Sequence, residues 1–264
     1  MIPVQTEVLV DRWMSSDPGA EQKVRHAHNL VSRFLRTTVQ ICPAVSTYAE
    51  QAAALLTGQV QTHPDLCTHG VRVAGYARAI TATVGETYND PEHIALASIA
   101  GAVHDDGKRQ IDPEVLYRSL GVPGFGNFDR RRDMPGMYPH PKLGYDSIGK
   151  PDVDLPLDAQ VAAGGHHQIA GPGQRPYGIP YEQIHAEHSP DHVEAAWLGF
   201  LVGVTNMADF YDAATSRPAD NHFGNYPARI QSIVERATLI FGERASEVVT
   251  ALDQHRIDTT VAVA

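Results

Sequence analysis

Apolar residues recur at three- and four-residue intervals along most of the chain, the repeat expected of helices that bury one face. Between Gly19 and Pro43 the residues Val24, Ala27, Val31, Phe34 and Leu35 share such a face and predict a first helix. Thr47 and Glu50 have the spacing of a capping box, the alanine-rich stretch to Leu56 predicts a second helix, and Gly58 marks its end. From Pro64 to Val84 the apolar positions Leu66, Val71, Val73, Ala74, Ala77 and Ile80 again suit a helix, with Gly85 as its stop signal. Asp90 as N-cap and Pro91 at the first helical position open another, whose apolar face runs to His104. Short helices are expected from Pro141 to Ile148 and Leu157 to Ala163, a long one from Asp191 to Ala214, and two more from Pro227 to Phe241 and Glu243 to His255. The Gly/Pro-rich interval from Gly121 to Pro139 reads as a long exposed loop, and a second such segment spans Gly171 to Pro180. No sustained alternation demands a sheet, and no internal repeat is present. The predicted class is all-α: residues 1–60 as N-terminal helices packing on a domain of residues 61–264, one compact body overall.

Composition agrees with a packed fold. The chain has 264 residues, 42% hydrophobic and 20% charged, an ordinary globular balance with length enough for a sizeable core. Its formal charge of -10 argues against a nucleic-acid polymer or an anionic membrane as partner, because such surfaces need clustered Lys and Arg. A small anionic substrate is compatible with that charge if bound metal supplies positive charge locally. No apolar run is long enough to span a bilayer, and the first residues lack the basic-then-apolar order of an export signal. Cys42 and Cys67 are too few for a disulfide framework and point to two free thiols in a reducing compartment, so a cytoplasmic protein is expected. Nothing in the sequence fixes the oligomeric state, and a homodimer is compatible with it.

Histidine is the outlier, with 14 copies, and neutral imidazole is the commonest metal ligand. The adjacent pair His104-Asp105 sits at the end of an apolar helix, where a rigid element can project side chains into a cavity. Alone the dipeptide is weak evidence, since a helix-end histidine is more often a surface residue or a satisfied core one. It stands, however, in a series of ligand-type residues: His69 in HGVRVA, His104-Asp105 in HDDGK, His140 in HPKLG, the pair His166-His167, and Asp209 in ADFYDAATSRP. Five histidines and two or three carboxylates are too many for one tetrahedral ion, and suit two octahedral ions that share a bridging carboxylate.

In order and spacing these motifs resemble the HD superfamily of metal-dependent phosphohydrolases, and more narrowly its HD-GYP phosphodiesterase branch, over roughly residues 60 to 220. The resemblance implies an HD-domain helical bundle with a dinuclear metal site in its core. It further implies that His69, His104, Asp105 and Asp209 hold one ion, and that Asp105 bridges to a second held by His140, His166 and His167. Iron or manganese is the metal this implies. Asp65, four residues before His69, is an additional ligand in some members and would bring a third ion; its alternative reading is a cap for the helix that starts at Pro64. Asp105 and Lys108 are the expected catalytic residues, with Lys108, Arg175 and Arg217 on the substrate's phosphate. Asp209 and Asp212 lie one helical turn apart, and the resemblance gives them different roles: Asp209 on metal, Asp212 holding the Thr215-Ser216 turn.

The sequence departs from the family where substrate is read. The Gly-Tyr-Pro signature that follows H-H-E is missing from HHQIAGPGQRPYG, and Gln168 stands where the glutamate is expected. Arg130, Arg131 and Arg132 read as a solvated basic loop, with a mobile lid over substrate phosphates as the alternative. The expected function is hydrolysis of a phosphodiester such as cyclic di-GMP. Its competitors are an HD-type phosphatase of nucleotides or small esters, a di-iron oxygenase on the same scaffold, and a sensor that binds a nucleotide without cleaving it.

Overall fold

A computed structural model describes residues 17–122, 124–170, 175–188, 191–216 and 226–261. Among the described residues every regular element is a helix and there is no strand. The α-helices are α1 (Ala20–Ile41), α2 (Ser46–Val60), α3 (Pro64–Val84), α4 (Pro91–Val103), α5 (Pro113–Ser119), α6 (Arg130–Met137), α7 (His140–Ile148), α8 (Leu157–Gly165), α9 (Tyr181–His188), α10 (His192–Ser216), α11 (Tyr226–Phe241) and α12 (Ala245–Val261).

Helix α3 is the axis of the fold, with α1, α4, α10 and α12 all packed on it. Its most extensive partner is α4, and small residues let the two backbones approach. A Cβ placed on Gly70 would lie 2.5 Å from the Ala102 carbonyl oxygen, and one on Gly101 would lie 3.0 Å from that of Val73. Because the sequence needs no side chain there, His69 on α3 comes beside His104 at the end of α4. Helix α4 has more than the single apolar face expected. Its residues from Ala97 to Val103 are all buried, as befits a helix surrounded by others.

The core has two main parts. Val31, Phe34, Ala52 and Leu56 of α1 and α2 pack with Cys67, Ala74, Ile99 and Val103, so the N-terminal helices share a core with α3 and α4. On the other side Val73, Ile80, Leu198, Leu201, Met207, Ile233, Val248 and Leu252 join α3 to α10, α11 and α12. Cys42 and Cys67 are buried free thiols. Among the described residues no helix is long and apolar enough to cross a membrane.

Several local expectations are corrected. The interval from Gly121 to Pro139 is not all loop: Arg130–Met137 is helical, because the Asp129 carboxylate accepts from the backbone N–H groups of Arg131 and Arg132 and so caps the helix. Helices α5 and α9 were not anticipated, being too short to show a repeat, although Asp112 and Pro113 are an ordinary start signal for the first. Helix α2 starts at Ser46 after a 3-10 turn over Pro43–Val45 and runs through Gly58 to Val60, without a side-chain cap from Thr47. The Asp90 cap is present and accepts from the N–H groups of Glu92 and His93.

Candidate metal centre

Four elements deliver the ligand-type residues to one place: α3 brings His69, the end of α4 brings His104 and Asp105, the start of α7 brings His140, and α10 brings Asp209. The turn that ends α8 adds His166 and His167. Two groups result, each able to hold a metal ion: His69, His104, Asp105 and Asp209 in one, and His140, His166 and His167 in the other, the ligand atoms of each lying within 4.8 Å of one another.

Asp105 stands between the groups with one oxygen toward each. Its Oδ2 lies 3.3 Å from His69 Nε2 and 3.4 Å from His104 Nε2, while Oδ1 lies 3.2 Å from His140 Nε2 and 3.6 Å from His166 Nε2. Asp209 Oδ1 completes the first group at 3.1 Å from His69 Nε2 and 3.7 Å from His104 Nε2. His140 and His166 approach each other at 3.4 Å through their Nε2 atoms.

The far side of each ring explains why Nε2 faces inward. His104 Nδ1 donates to the Gly101 carbonyl at 2.8 Å and His140 Nδ1 to that of Met137 at 2.7 Å; His166 Nδ1 lies 3.0 Å from the Ala163 carbonyl. A carbonyl only accepts, so each Nδ1 carries the proton and the Nε2 lone pair is left for a ligand. His69 is fixed instead by a carboxylate: its Nδ1 is 2.7 Å from Asp212 Oδ2, which also receives Arg72 Nη2 at 2.9 Å, while Arg72 Nε donates to Asp212 Oδ1 at 2.6 Å. Asp212 does receive Ser216 Oγ at 3.0 Å, as expected for a residue holding that turn, but its larger part is to orient His69. The sequence signal for this was Arg72, one turn after His69 in HGVRVA, which had been given no role.

The chemistry of the group fits cations. His69 Nε2, His104 Nε2 and Asp105 Oδ1 are buried and have no hydrogen-bond partner. Each such buried polar atom costs about 1–3 kcal/mol if left unmet; a cation in the first group would meet His69 and His104 Nε2, and one in the second would meet Asp105 Oδ1. In the metal-free chain protons take that place at the first group. Burial opposes protonation of His69 and His104, but Asp105 and Asp209, with Asp212 for His69, outweigh it and raise them to about 10 and about 9. At the second group burial prevails: it lowers His140 to about 4 and keeps His166 and His167 neutral, with free lone pairs at neutral pH. Burial likewise opposes ionisation of Asp105, yet Lys108 and the histidines hold its carboxyl well below the usual carboxylate range.

The other anticipated residues divide. Lys108 is buried, and its Nζ donates to Asp105 Oδ2, so it meets that carboxylate directly as well as lining the cavity. Asp65 joins neither group and does not cap its helix; it accepts from Lys23 at 3.0 Å on the cavity rim, because α1 packs across the start of α3. Arg175 lines the cavity from an exposed position, and Arg217 lies outside the described residues. Of the basic run, Arg130 lines the cavity, whereas Arg132 is tied to Asp133 at 2.8 Å and to the Asn127 carbonyl. That cavity, about 1220 Å³, opens over both groups, and Phe128, Tyr138, Tyr177 and Phe210 are among its lining residues. Tyr177 stacks on His167 at 4.2 Å between ring centroids, held there by its N–H donating to the His167 carbonyl at 3.2 Å. The next residue, Gly178, has φ +100, a conformation that favours glycine, and lets Ile179 donate to the Gly164 carbonyl at 2.9 Å. Comparison with protein-family models, with curated proteins and with solved structures returns no match, so the chemistry of this centre rests on its own side chains.

Proposed function

We propose that the chain is a metal-dependent phosphohydrolase that uses two divalent ions, iron or manganese, to cleave a phosphodiester of the cyclic-dinucleotide kind. The observation that carries this is Asp105, whose two oxygens face two separate sets of imidazole nitrogens. His69, His104 and Asp209 would hold one ion, and His140, His166 and His167 the other, with Asp105 shared. Two such ions, when bound, supply Lewis acidity toward phosphoryl oxygens and lower the pKa of water to near neutrality. The resemblance of the ordered motifs to HD phosphohydrolases supports the same assignment.

The chain's own residues provide the rest. Lys108 places a fixed positive charge beside the bridging carboxylate, at the cavity floor where a phosphate would lie, and can stabilise charge that develops on it. The cavity exceeds the ~300–1,000 Å³ typical of small-molecule sites, which favours a dinucleotide over a small phosphate ester. Its aromatic lining residues offer flat surfaces to nucleobases, and the exposed Arg130 and Arg175 add positive charge.

The test is a panel of cyclic dinucleotides, nucleoside monophosphates and simple esters, assayed with protein loaded anaerobically with Mn2+ or Fe2+. Cleavage of a cyclic dinucleotide that is lost in Asp105→Asn is the expected result. Hydrolysis of simple esters alone would move the assignment to a phosphatase. Oxygen uptake without phosphate-ester cleavage would overturn it.

A further inference from the structure

Resting on the two-ion reading, we infer that Asn206 and Arg236 are positioning residues for the ion held by His140, His166 and His167. The observation is a polar brace behind the His166-His167 turn. Two consecutive residues of a regular helix point about 100° apart, as 3.6 residues per turn requires, so His166 and His167 share one group only if both rings are held in place. Here α8 ends at Gly165, and the chain turns through His166 to Ala170. His166 keeps helical φ and ψ and its N–H still donates to the Ala162 carbonyl, but the carbonyls of the turn beyond need donors that the helix no longer supplies.

Asn206 and Arg236 supply them. The Asn206 side-chain amide donates to the carbonyls of His166 and Ile169, the latter at 3.1 Å. Arg236 Nη1 donates to the same Ile169 carbonyl and, at 3.2 Å, to Asn206 Oδ1. This second bond fixes which end of the amide faces the turn, since only the NH2 end can serve carbonyls and only the oxygen can receive the guanidinium. The guanidinium in turn lies 4.6 Å over the ring of Phe210, the neighbour of Asp209. Both residues are buried, Asn206 at 4% and Arg236 at 6% exposure, at the edge of the cavity, so the network is largely shielded from water.

The brace therefore joins three elements: the histidine turn, α10 and α11. Arg236 lies 67 residues from the carbonyl it holds and beyond the stretch in which the motifs resemble a family. Helix α11 thus takes part in building the centre, although none of its described residues belongs to either ligand group. Asn206 stands three residues before Asp209, so one helix positions a ligand of the first ion and the support of the second.

Mn2+ titration followed by calorimetry and by metal analysis of the gel-filtered protein tests this. Asn206→Asp keeps the size and the acceptor for Arg236 but donates nothing to the two carbonyls; Arg236→Ala removes the other half. The expected result is two ions per wild-type chain, and in each variant one ion at wild-type affinity and one weakened 10–100-fold, the range typical when a group behind a metal ligand is removed. Where Arg236→Ala does not fold, Arg236→Lys, which keeps a charge over Phe210 but loses the fork, replaces it and should weaken the same ion. Two ions at wild-type affinity in the folded variants would overturn the inference. Parallel weakening of both ions would also overturn it, because a general structural role does not choose between them. A wild-type chain that takes fewer than two ions removes the two-ion reading itself, which separates that failure from failure of the brace.

Discussion

His69 shows how much of the centre depends on residues that do not face it. Its ring is held between Asp212 on one nitrogen and the Asp105–Asp209 pair on the other, with Arg72 fixing Asp212 in turn. Asp212→Asn keeps an acceptor but loses the charge that favours the required tautomer. It should weaken Mn2+ binding at this group by about 10–100-fold, measured by calorimetric titration, while leaving the other ion in place. Proton linkage gives a second prediction. In the metal-free chain the carboxylates raise His69 to about 10 and His104 to about 9, from the ordinary 6.5. A group whose folded pKa is raised contributes stability that is complete below the unfolded value and lost as pH rises through the folded one. The melting temperature of the metal-free protein should therefore fall between about pH 7 and pH 10, and the metal-loaded protein should lose less, because ions then replace the protons. A metal-free melting curve flat over that interval would contradict the arrangement.

At the level of elements, the ligands are set by how closely helices approach. The 3-10 turn Asp106–Gln110 lies directly under the start of α7, and Gly107 is the contact: a Cβ there would fall 1.9 Å from the His140 carbonyl oxygen and 2.4 Å from the Gly144 nitrogen. Both are backbone atoms and cannot swing aside. Gly107→Ala should thus push α7, and His140 with it, away from Asp105. The expected outcome is a loss of about 1–3 kcal/mol, the usual cost of overpacking, together with loss of metal binding at the group of His140, His166 and His167. Thermal melting and metal analysis check the two halves separately, and an alanine variant that melts like wild type and keeps both ions would show the contact to be looser than it stands. The short helix α6 has a different place in this scheme, since it lines the cavity and carries no residue of either ligand group. Helix α6 does fix Met137, whose carbonyl orients His140.

On the scale of the whole molecule, a negatively charged chain gathers buried carboxylates and imidazoles from segments 140 residues apart, His69 to Asp209. Such a centre is costly without cations. Ions that bind only the folded chain stabilise it by mass action, about 2.7 kcal/mol for each site at a hundredfold excess over its dissociation constant. For a domain of this size that corresponds to about 5–10 °C per ion, from ~2–4 °C per kcal/mol. Treatment with a strong chelator should lower the melting temperature by at least that amount, and Mn2+ should restore it. An unchanged transition after complete removal of metal would mean that the centre does not couple to folding.

Much of this was legible in the residues themselves. The helical repeat gave the class and most of the long helices, because burying one face imposes a period that needs no knowledge of neighbours. His69, His104, Asp105, His140, His166, His167 and Asp209 could be named beforehand because each is a ligand-type residue in a recognisable local setting, and the structure gathers all of them. Asp65 shows the limit: its spacing from His69 placed both on one face of α3, but only the packing of α1 decided that Lys23 takes its carboxylate. The roles of Asn206, Arg236 and Asp212 were hidden for the same reason. Local sequence determines which groups are available and how an isolated helix orients them, whereas hydrogen bonds between segments far apart depend on backbone approach, and that is decided only when the helices close on one another.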